Sequence, residues 1–325
     1  MKFYFAPLEG ITGYVFRNAF HKVFESDTNK IDKYFSPFIS PGVNQPLTPK
    51  ELRDIHPDNN RGITLVPQIL ANNADDFLLA AGYIKELGYD EVNLNLGCPS
   101  GTVVAKRKGS GLLAEPELME RMLDKIYENT DMKVSVKTRI GRDDPEEFPP
   151  LMEIFNKFPL EELIVHPRIR NDFYKNTPNM DMFKLAYDDC RTKLSYNGDV
   201  VTRADFERVK QEYPKLEAVM IGRGFLQNPM LANSICCEEP AGKHLAQGKE
   251  PDIDKIKEFH DLLLEGYIEV MSGEKPVLFK MKELWCYLIR PFEESDKYAK
   301  KIRKAERLDI YRDIVNELFE RGFMS

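Results

Sequence analysis

Cys98 stands between Gly97 and Pro99, inside the run Glu91–Gly101. Just upstream, Val92, Leu94 and Leu96 alternate with Asn93 and Asn95, the two-residue period of a strand, and Gly97 breaks it. A structural cysteine usually lies in an apolar run and packs as a small hydrophobe. One held where a strand gives way to a loop is either a reactive thiol or a buried turn cysteine, and spacing alone leaves both open.

The ends of the other strand-like runs carry polar groups in the same way. The first run ends in Ala6-Pro7-Leu8-Glu9-Gly10, and the third carries Gln68. The fifth carries Lys137 and Arg139, the sixth His166 and Arg168, the seventh Asn197-Gly198-Asp199, and the eighth ends in Ile221-Gly222-Arg223-Gly224. One such residue would be unremarkable. The same placement on strand after strand predicts a shared site.

Gly198, Gly222 and Gly224 follow the last two strands, where parallel barrels often hold a ligand phosphate. Glycines there let backbone N–H groups approach an anion, and Arg223 could offer it a forked contact. The plainer reading is that they only end strands. With polar groups from the first, third and fifth strands, a phosphate at this end suggests flavin mononucleotide (FMN), its ring across the barrel mouth.

The elements that must position these residues alternate. Strands are predicted at Phe3–Ala6, Tyr34–Ser36, Leu65–Leu70, Glu91–Leu96, Lys133–Arg139, Leu163–His166, Lys193–Asn197 and Ala218–Ile221, with helical segments between them. Thr48 is a candidate N-cap for a short helix through Ile55. Such alternation implies parallel strands, and eight units suit a (β/α)8 barrel, the TIM-barrel class. No GxGxxG follows the first strand, which counts against a doubly wound dinucleotide fold. A polar linker from His244 to Pro251 leads to helices only, expected at Ile256–Met271, Val277–Leu288 and Ala299–Phe319. The expected organisation is a barrel over residues 1–241 and a small all-helical C-terminal domain over 252–325.

The chain has 325 residues and a formal net charge of -7, which argues against a general nucleic-acid coat protein. Two local basic patches remain, Lys106-Arg107-Lys108 and the stretch from Lys297 to Arg307. In the second, Lys297, Lys300, Lys301 and Lys304 share a helical face opposite Tyr298, Ile302 and Ala305. No apolar run approaches the ~20 residues of a membrane span, and the N-terminus lacks a signal-peptide core. Five cysteines at irregular spacing, without a CxxC pair, predict a reduced cytoplasmic protein with no metal site. Cys190, Cys286 and the pair Cys236-Cys237 are expected to pack rather than react. His21, His56, His244 and His260 are given no role.

Taken together, the motifs resemble the tRNA-dihydrouridine synthase family along the whole chain. They are APLEGIT (Ala6–Thr12), PQI (Pro67–Ile69), NLNLGCPS (Asn93–Ser100), GSGLL (Gly109–Leu113), SVKTRIG (Ser135–Gly141), IVHPR (Ile164–Arg168), YNGD (Tyr196–Asp199) and MIGRGFLQNP (Met220–Pro229). The resemblance implies a barrel holding FMN, a helical domain gripping the tRNA substrate, and NADPH or NADH as reductant. By matching position, Pro7, Leu8 and Glu9 would line the flavin through their backbone. Gln68 would bond the isoalloxazine edge, and Lys137 would sit near N1–O2. His166, Asn197, Gly198, Asp199, Gly222 and Arg223 would hold the ribityl chain and phosphate.

The implied reaction sends hydride from reduced FMN to uracil C6 and a proton from Cys98 to C5, a task a thiol with pKa near ~8.5 can perform. A monomer with no obligate protein partner is expected. Departures from the family pattern are Pro167-Arg168-Ile169-Arg170-Asn171-Asp172 after the histidine, Gly111 where alanine is common, and the run Lys280-Met281-Lys282-Glu283-Leu284-Trp285. The competing readings are an FMN barrel acting on a free pyrimidine and a tRNA-binding barrel in which Cys98 is idle.

Overall fold

The computed structural model describes residues 1–26, 30–42, 45–236 and 252–322. Its strands are β1 (Lys2–Phe5), β2 (Lys33–Phe35), β3 (Leu65–Val66), β4 (Gln68–Ile69), β5 (Glu91–Leu96), β6 (Lys133–Arg139), β7 (Leu163–His166), β8 (Leu194–Tyr196) and β9 (Ala218–Ile221). Helices α1 (Tyr14–Phe24), α2 (Pro49–Ile55), α3 (Ala74–Glu86), α4 (Gly101–Val104), α5 (Pro116–Asn129), α6 (Phe148–Phe155), α7 (Met180–Asp189) and α8 (Arg203–Glu212) alternate with them. After β9 come α9 (Arg223–Gln227), α10 (Leu231–Cys236), α11 (Ile253–Val270), α12 (Glu274–Leu288), α13 (Ser295–Lys304) and α14 (Leu308–Arg321).

Every pairing between these strands is parallel, in the order β3-β2-β1-β9-β8-β7-β6-β5-β4. The two outermost members are halves of one stave. β3 pairs with β2 and β4 pairs with β5, and only Pro67 separates them. Proline has no N–H for the ladder, so the expected strand Leu65–Leu70 is interrupted there while its path continues. Eight staves close the sheet, giving the TIM-barrel architecture expected from the alternation. The whole of β5 is buried, as is usual for a parallel strand covered on both faces. Thr48 caps α2 in a reciprocal box: its side chain accepts from Glu51 N, and the Glu51 side chain accepts from Thr48 N.

By contacts the chain forms two compact units. One comprises Met1–Glu9, Asp32–Asp199 and Glu207–Ile221; the other comprises Gly10–Ile31, Val200–Phe206 and Gly222–Ser325. In the first, Tyr4, Phe35, Val66, Ile164 and Met220 form a buried apolar cluster. In the second, α1 packs on α11 through aromatic rings. Phe16, Phe20 and Phe24, four residues apart on one face, meet Phe259 at centroid distances of 5.3, 6.2 and 5.1 Å. Deeper in that unit Trp285 Nε1 donates to the Tyr311 hydroxyl at 2.7 Å, and that hydroxyl lies 2.7 Å from His260 Nε2.

The helix expected over Ala299–Phe319 is two helices, broken between Lys304 and Leu308. Tyr298, Ile302 and Ala305 are buried, as the helical wheel requires. Cys286 is exposed rather than packed, because one helical step from buried Trp285 carries it off the inward face of α12. Cys190 is half-buried. Cys237, His244 and the linker through Pro251 lie outside the described residues.

Candidate active site

Parallel staves place all their C-terminal ends at one end of the barrel, so residues far apart in sequence meet there. The register sets Asn95 of β5 beside Lys137 of β6, and Leu96 beside Thr138. Cys98 follows two residues after β5 and is half-buried.

The Cys98 peptide is held at both ends. Asn95 Oδ1 accepts from the N–H groups of Gly97 and Cys98, at 3.0 and 2.9 Å. On the other side, Ser110 donates its N–H and its hydroxyl to the Cys98 carbonyl, at 3.2 and 2.8 Å. Gly109 sits directly behind, with φ +56; a Cβ there would stand 2.9 Å from the Cys98 carbonyl oxygen and 3.0 Å from Cys98 Cβ. Both the left-handed backbone and the close approach demand glycine at this point.

Burial pushes the Cys98 thiol above its ordinary range, and the negative charge of Glu9 acts in the same direction. The Ser100 N–H and the charges of Arg139 and Lys137 pull the other way without winning. The resting group is therefore a thiol that keeps its proton at neutral pH. Such a group is an acid rather than a thiolate nucleophile.

Lys137 is half-buried, and burial followed by repulsion from Arg139 pushes its amine down to about 7. Among the described residues it makes no hydrogen bond or ion pair. Gln68 is buried with both ends of its amide engaged: Nε2 donates to Asn93 Oδ1 at 2.8 Å, and Oε1 accepts from Asn95 Nδ2 at 2.7 Å. Each end keeps one further donor or acceptor capacity.

Past β7, Arg168 is buried and grips Asp199 with both terminal nitrogens, at 3.1 and 2.5 Å. Its NH1 also lies 3.1 Å from His166 Nε2. A guanidinium can only donate, so Nε2 accepts and the ring proton resides on Nδ1. Arg139, read in the sequence as a strand-end polar group, is a tie between loops. It donates to the carbonyls of Gly97, Ile169 and Phe173 at 3.0, 2.7 and 2.7 Å.

Asn197 Nδ2 donates to the Met220 carbonyl at 2.8 Å. A Cβ on Gly198 would lie 2.0 Å from the Tyr196 hydroxyl, so that glycine is required by its neighbour's ring, whatever binds nearby. Pro7 and Leu8 are half-buried and Glu9 exposed beyond the end of β1. Thus Pro7, Leu8, Glu9, Gln68, Cys98, Lys137, His166, Asn197, Gly198 and Asp199 all fall in the barrel unit, Gln68 and Lys137 within the last residues of their staves and the others at or just past strand C-termini. Gly222 and Arg223 come directly after β9, where Gly222 caps α9, and belong to the second unit.

Sequence reading missed Ser110 and the role of Asn93. The alternation in Glu91–Leu96 put Asn93 and Asn95 on one face, which was the available signal; Ser110 lay in the GSGLL motif, which gave it no role. Of the basic patch after Cys98, Lys106 and Arg107 are exposed, while Lys108 reaches Ser40 Oγ at 3.4 Å.

A parallel eight-stave barrel with a protonated thiol and an unpartnered lysine at its strand C-termini defines a barrel enzyme. The family comparison narrows it: the model of the dihydrouridine synthase (Dus) family matches residues 4–312, and the chain belongs to that family. It is 29% identical over 231 residues to tRNA-dihydrouridine synthase B of Pasteurella multocida, covering 71% of this chain and 67% of the relative. It is 33% identical to a tRNA-dihydrouridine(20/20a) synthase of Vibrio parahaemolyticus, where the match covers 53% of this chain and 56% of the relative, about half its length. A probable tRNA-dihydrouridine synthase 2 of Bacillus subtilis is 25% identical over 99% of this chain and 95% of its own.

Solved structures of similar fold include a variant of NCR from Zymomonas mobilis, with TM-score 0.51, 13% identity and coverage of 75% of this chain and 89% of that one. Histamine dehydrogenase from Rhizobium sp. 4-9 gives TM-score 0.53 at 10% identity over 72% and 45%. These two likenesses concern the fold alone. Among the described residues no helix is long and apolar enough to cross a membrane.

Proposed function

We propose that this chain reduces uridines in tRNA to 5,6-dihydrouridine, with FMN at the barrel mouth and Cys98 as the acid. Family membership supports the reaction class, and the names of the relatives support tRNA as substrate. The observation that carries the residue assignment is the half-buried thiol of Cys98, its peptide tied on both sides at a strand end and its proton retained.

The residues at the mouth fit a flavin. Lys137 is a desolvated amine with no acceptor among the described residues, and the carbonyl-rich edge of an isoalloxazine would provide one. Gln68 retains amide capacity beside it, and His166, Asn197 and the Gly198 backbone offer donors for ribityl and phosphate oxygens. Pro7, Leu8 and Glu9 complete that set through their backbone, with Asp199 acting through Arg168. Gly222 and Arg223 supply the phosphate end. Held by these residues, the flavin would supply hydride chemistry at uracil C6, with NADPH or NADH as the reductant.

Cys98 then delivers its proton to uracil C5, leaving a thiolate that Lys137, Arg139 and the Ser100 N–H stabilise until it is reprotonated from water. Hydride and proton together account for the two hydrogens gained by the base. The helices from residue 252 onward serve as the tRNA-binding domain, and the enzyme works in the cytoplasm as a monomer. The uridine must leave its stack to reach the mouth, as for other base-modifying enzymes.

The test separates the half-reactions. Cys98→Ala should leave flavin reduction by the nicotinamide cofactor near wild type and slow anaerobic reoxidation by unmodified tRNA about 10²–10⁴-fold, the usual range for a lost acid. Wild-type reoxidation in that variant would remove Cys98 from the mechanism. Protein that retains no flavin after reconstitution would favour a binding-only barrel instead.

A further inference from the structure

A continuous line of side-chain hydrogen bonds runs up the barrel interior to Cys98. It begins with Lys33 Nζ, which donates to Glu91 Oε2 at 2.7 Å. Ser135 Oγ donates to Glu91 Oε1 at 2.9 Å and accepts from Asn93 Nδ2 at 3.0 Å. Asn93 Oδ1 accepts from Gln68, Gln68 Oε1 accepts from Asn95, and Asn95 Oδ1 accepts from the Cys98 N–H.

The direction of this line is decided by its ends. The Glu91 carboxylate only accepts, so Ser135 must donate to it and take its own bond from Asn93. That fixes the Asn93 amide, which fixes Gln68, which fixes Asn95 with its oxygen toward Cys98. The far end requires the same sense, because backbone N–H groups only donate. Reversing any one of the three amides would set oxygen against oxygen or nitrogen against nitrogen in a buried interior, where unmade hydrogen bonds are most costly.

We propose that Asn93 and Ser110 are positioning residues for Cys98. Asn93 fixes the orientation of the Gln68–Asn95 pair that holds the Cys98 N–H, and Ser110 holds the Cys98 carbonyl. Neither has solvent-exposed surface, so neither can touch a substrate, and both act only through what they hold. The proposal rests on Cys98 being the acid in the reaction above. Its physical content is that a half-buried thiol on a strand-end loop stays shielded and aimed only while its peptide is tied from both sides.

The experiment reads the thiol directly. In FMN-loaded protein, Cys98 is alkylated with iodoacetamide across pH 6.5–9.5, and its peptide is quantified by mass spectrometry with exposed Cys286 as internal control. In Ser110→Ala and in Asn93→Ala, alkylation of Cys98 at pH 7.5 should rise about threefold or more and its profile move to lower pH, because a loosened loop hydrates the thiol. Reoxidation by tRNA should slow about tenfold or more in both variants, within the range of general-acid effects. Flavin reduction should be unchanged in Ser110→Ala, whose hydroxyl bonds only the Cys98 carbonyl, whereas Asn93→Ala also releases Gln68 and is read by the alkylation profile.

A Cys98 profile and a reoxidation rate equal to wild type in both variants would overturn the proposal. Ser110→Ala removes a single hydroxyl and keeps the Ser110 N–H bond, so it remains a test even if Asn93→Ala does not fold. Failure of the acid assignment looks different: Cys98→Ala would then reoxidise at the wild-type rate, whatever the alkylation profiles show.

Discussion

Arg168 grips Asp199 through two parallel hydrogen bonds, at 3.1 and 2.5 Å, with the guanidinium buried and the carboxylate side chain 39% exposed. The loop after β8 is thereby tied to the loop after β7, and the same guanidinium selects the tautomer of His166. The carboxylate thus orients a buried guanidinium, and through it the imidazole of His166.

Replacing Asp199 by Ala strands one edge of a buried guanidinium, which retains its bonds to the Asn176 carbonyl and His166. The expected loss of stability is roughly 1–3 kcal/mol, below the cost of breaking a fully buried pair because the carboxylate faces water. Urea denaturation would measure it. Asp199→Asn, which keeps one acceptor oxygen, should recover part of the loss. Equal stability of Asp199→Ala and wild type would show that the pair does not hold the two loops.

On α13 the four lysines of the helical face divide into two kinds. Lys297 pairs with Glu294 at 3.0 Å, and Lys301 pairs with Glu317 at 2.9 Å while lying 4.7 Å over the Tyr298 ring. Lys300 and Lys304 are exposed, one turn apart, with no partner among the described residues. Like charges at this spacing repel, a cost that a phosphate backbone would relieve. Lys300→Glu with Lys304→Glu should weaken tRNA binding and lower the salt slope by about 1 for each phosphate no longer neutralised, with flavin content unchanged. An unaltered slope would mean that this face is only a hydrated surface. Reversal at Lys301 is a poor probe, since it would break the ion pair that joins α13 to α14.

The fold was readable where local signals agree. β5, β6, β7 and β9 lie where the apolar runs put them, each a largely buried segment bounded by glycine, polar or turn residues. The capping box at Thr48 and Glu51 is likewise a short-range pattern. The break between α13 and α14 escaped because Ala305, Glu306 and Arg307 are all competent helix formers. Packing of two short helices overrides that preference. Within the site, Cys98, Lys137 and His166 could be found as polar residues at strand ends. That Arg139 and Arg168 are engaged by carbonyls and a carboxylate could not, because their partners are 30 or more residues away or come from loops without a pattern. Asn93 showed its face through alternation, but its partner Gln68 became known only with the β4–β5 register.

Lys137 gives the protein a pH dependence whose sign follows from its environment. Its amine is held near 7 in the fold against 10.5 for an ordinary lysine, chiefly by burial. Between those two values the unfolded chain carries a proton that the fold does not, so stability rises with pH from about 7 to 10.5 and is flat below. Lys137→Met should abolish that rise and stabilise the protein near neutrality by an amount on the order of 3–5 kcal/mol at most. Binding of an acceptor-bearing ring beside the amine would favour the charged form, so the complex takes up a proton. Flavin affinity should then fall as pH rises from 7 to 9, by up to about tenfold per pH unit, and the dependence should vanish in Lys137→Met. Fluorescence titration of FMN into apoprotein at several pH values measures this. The same pH dependence in wild type and Lys137→Met would show that the lysine does not meet the flavin.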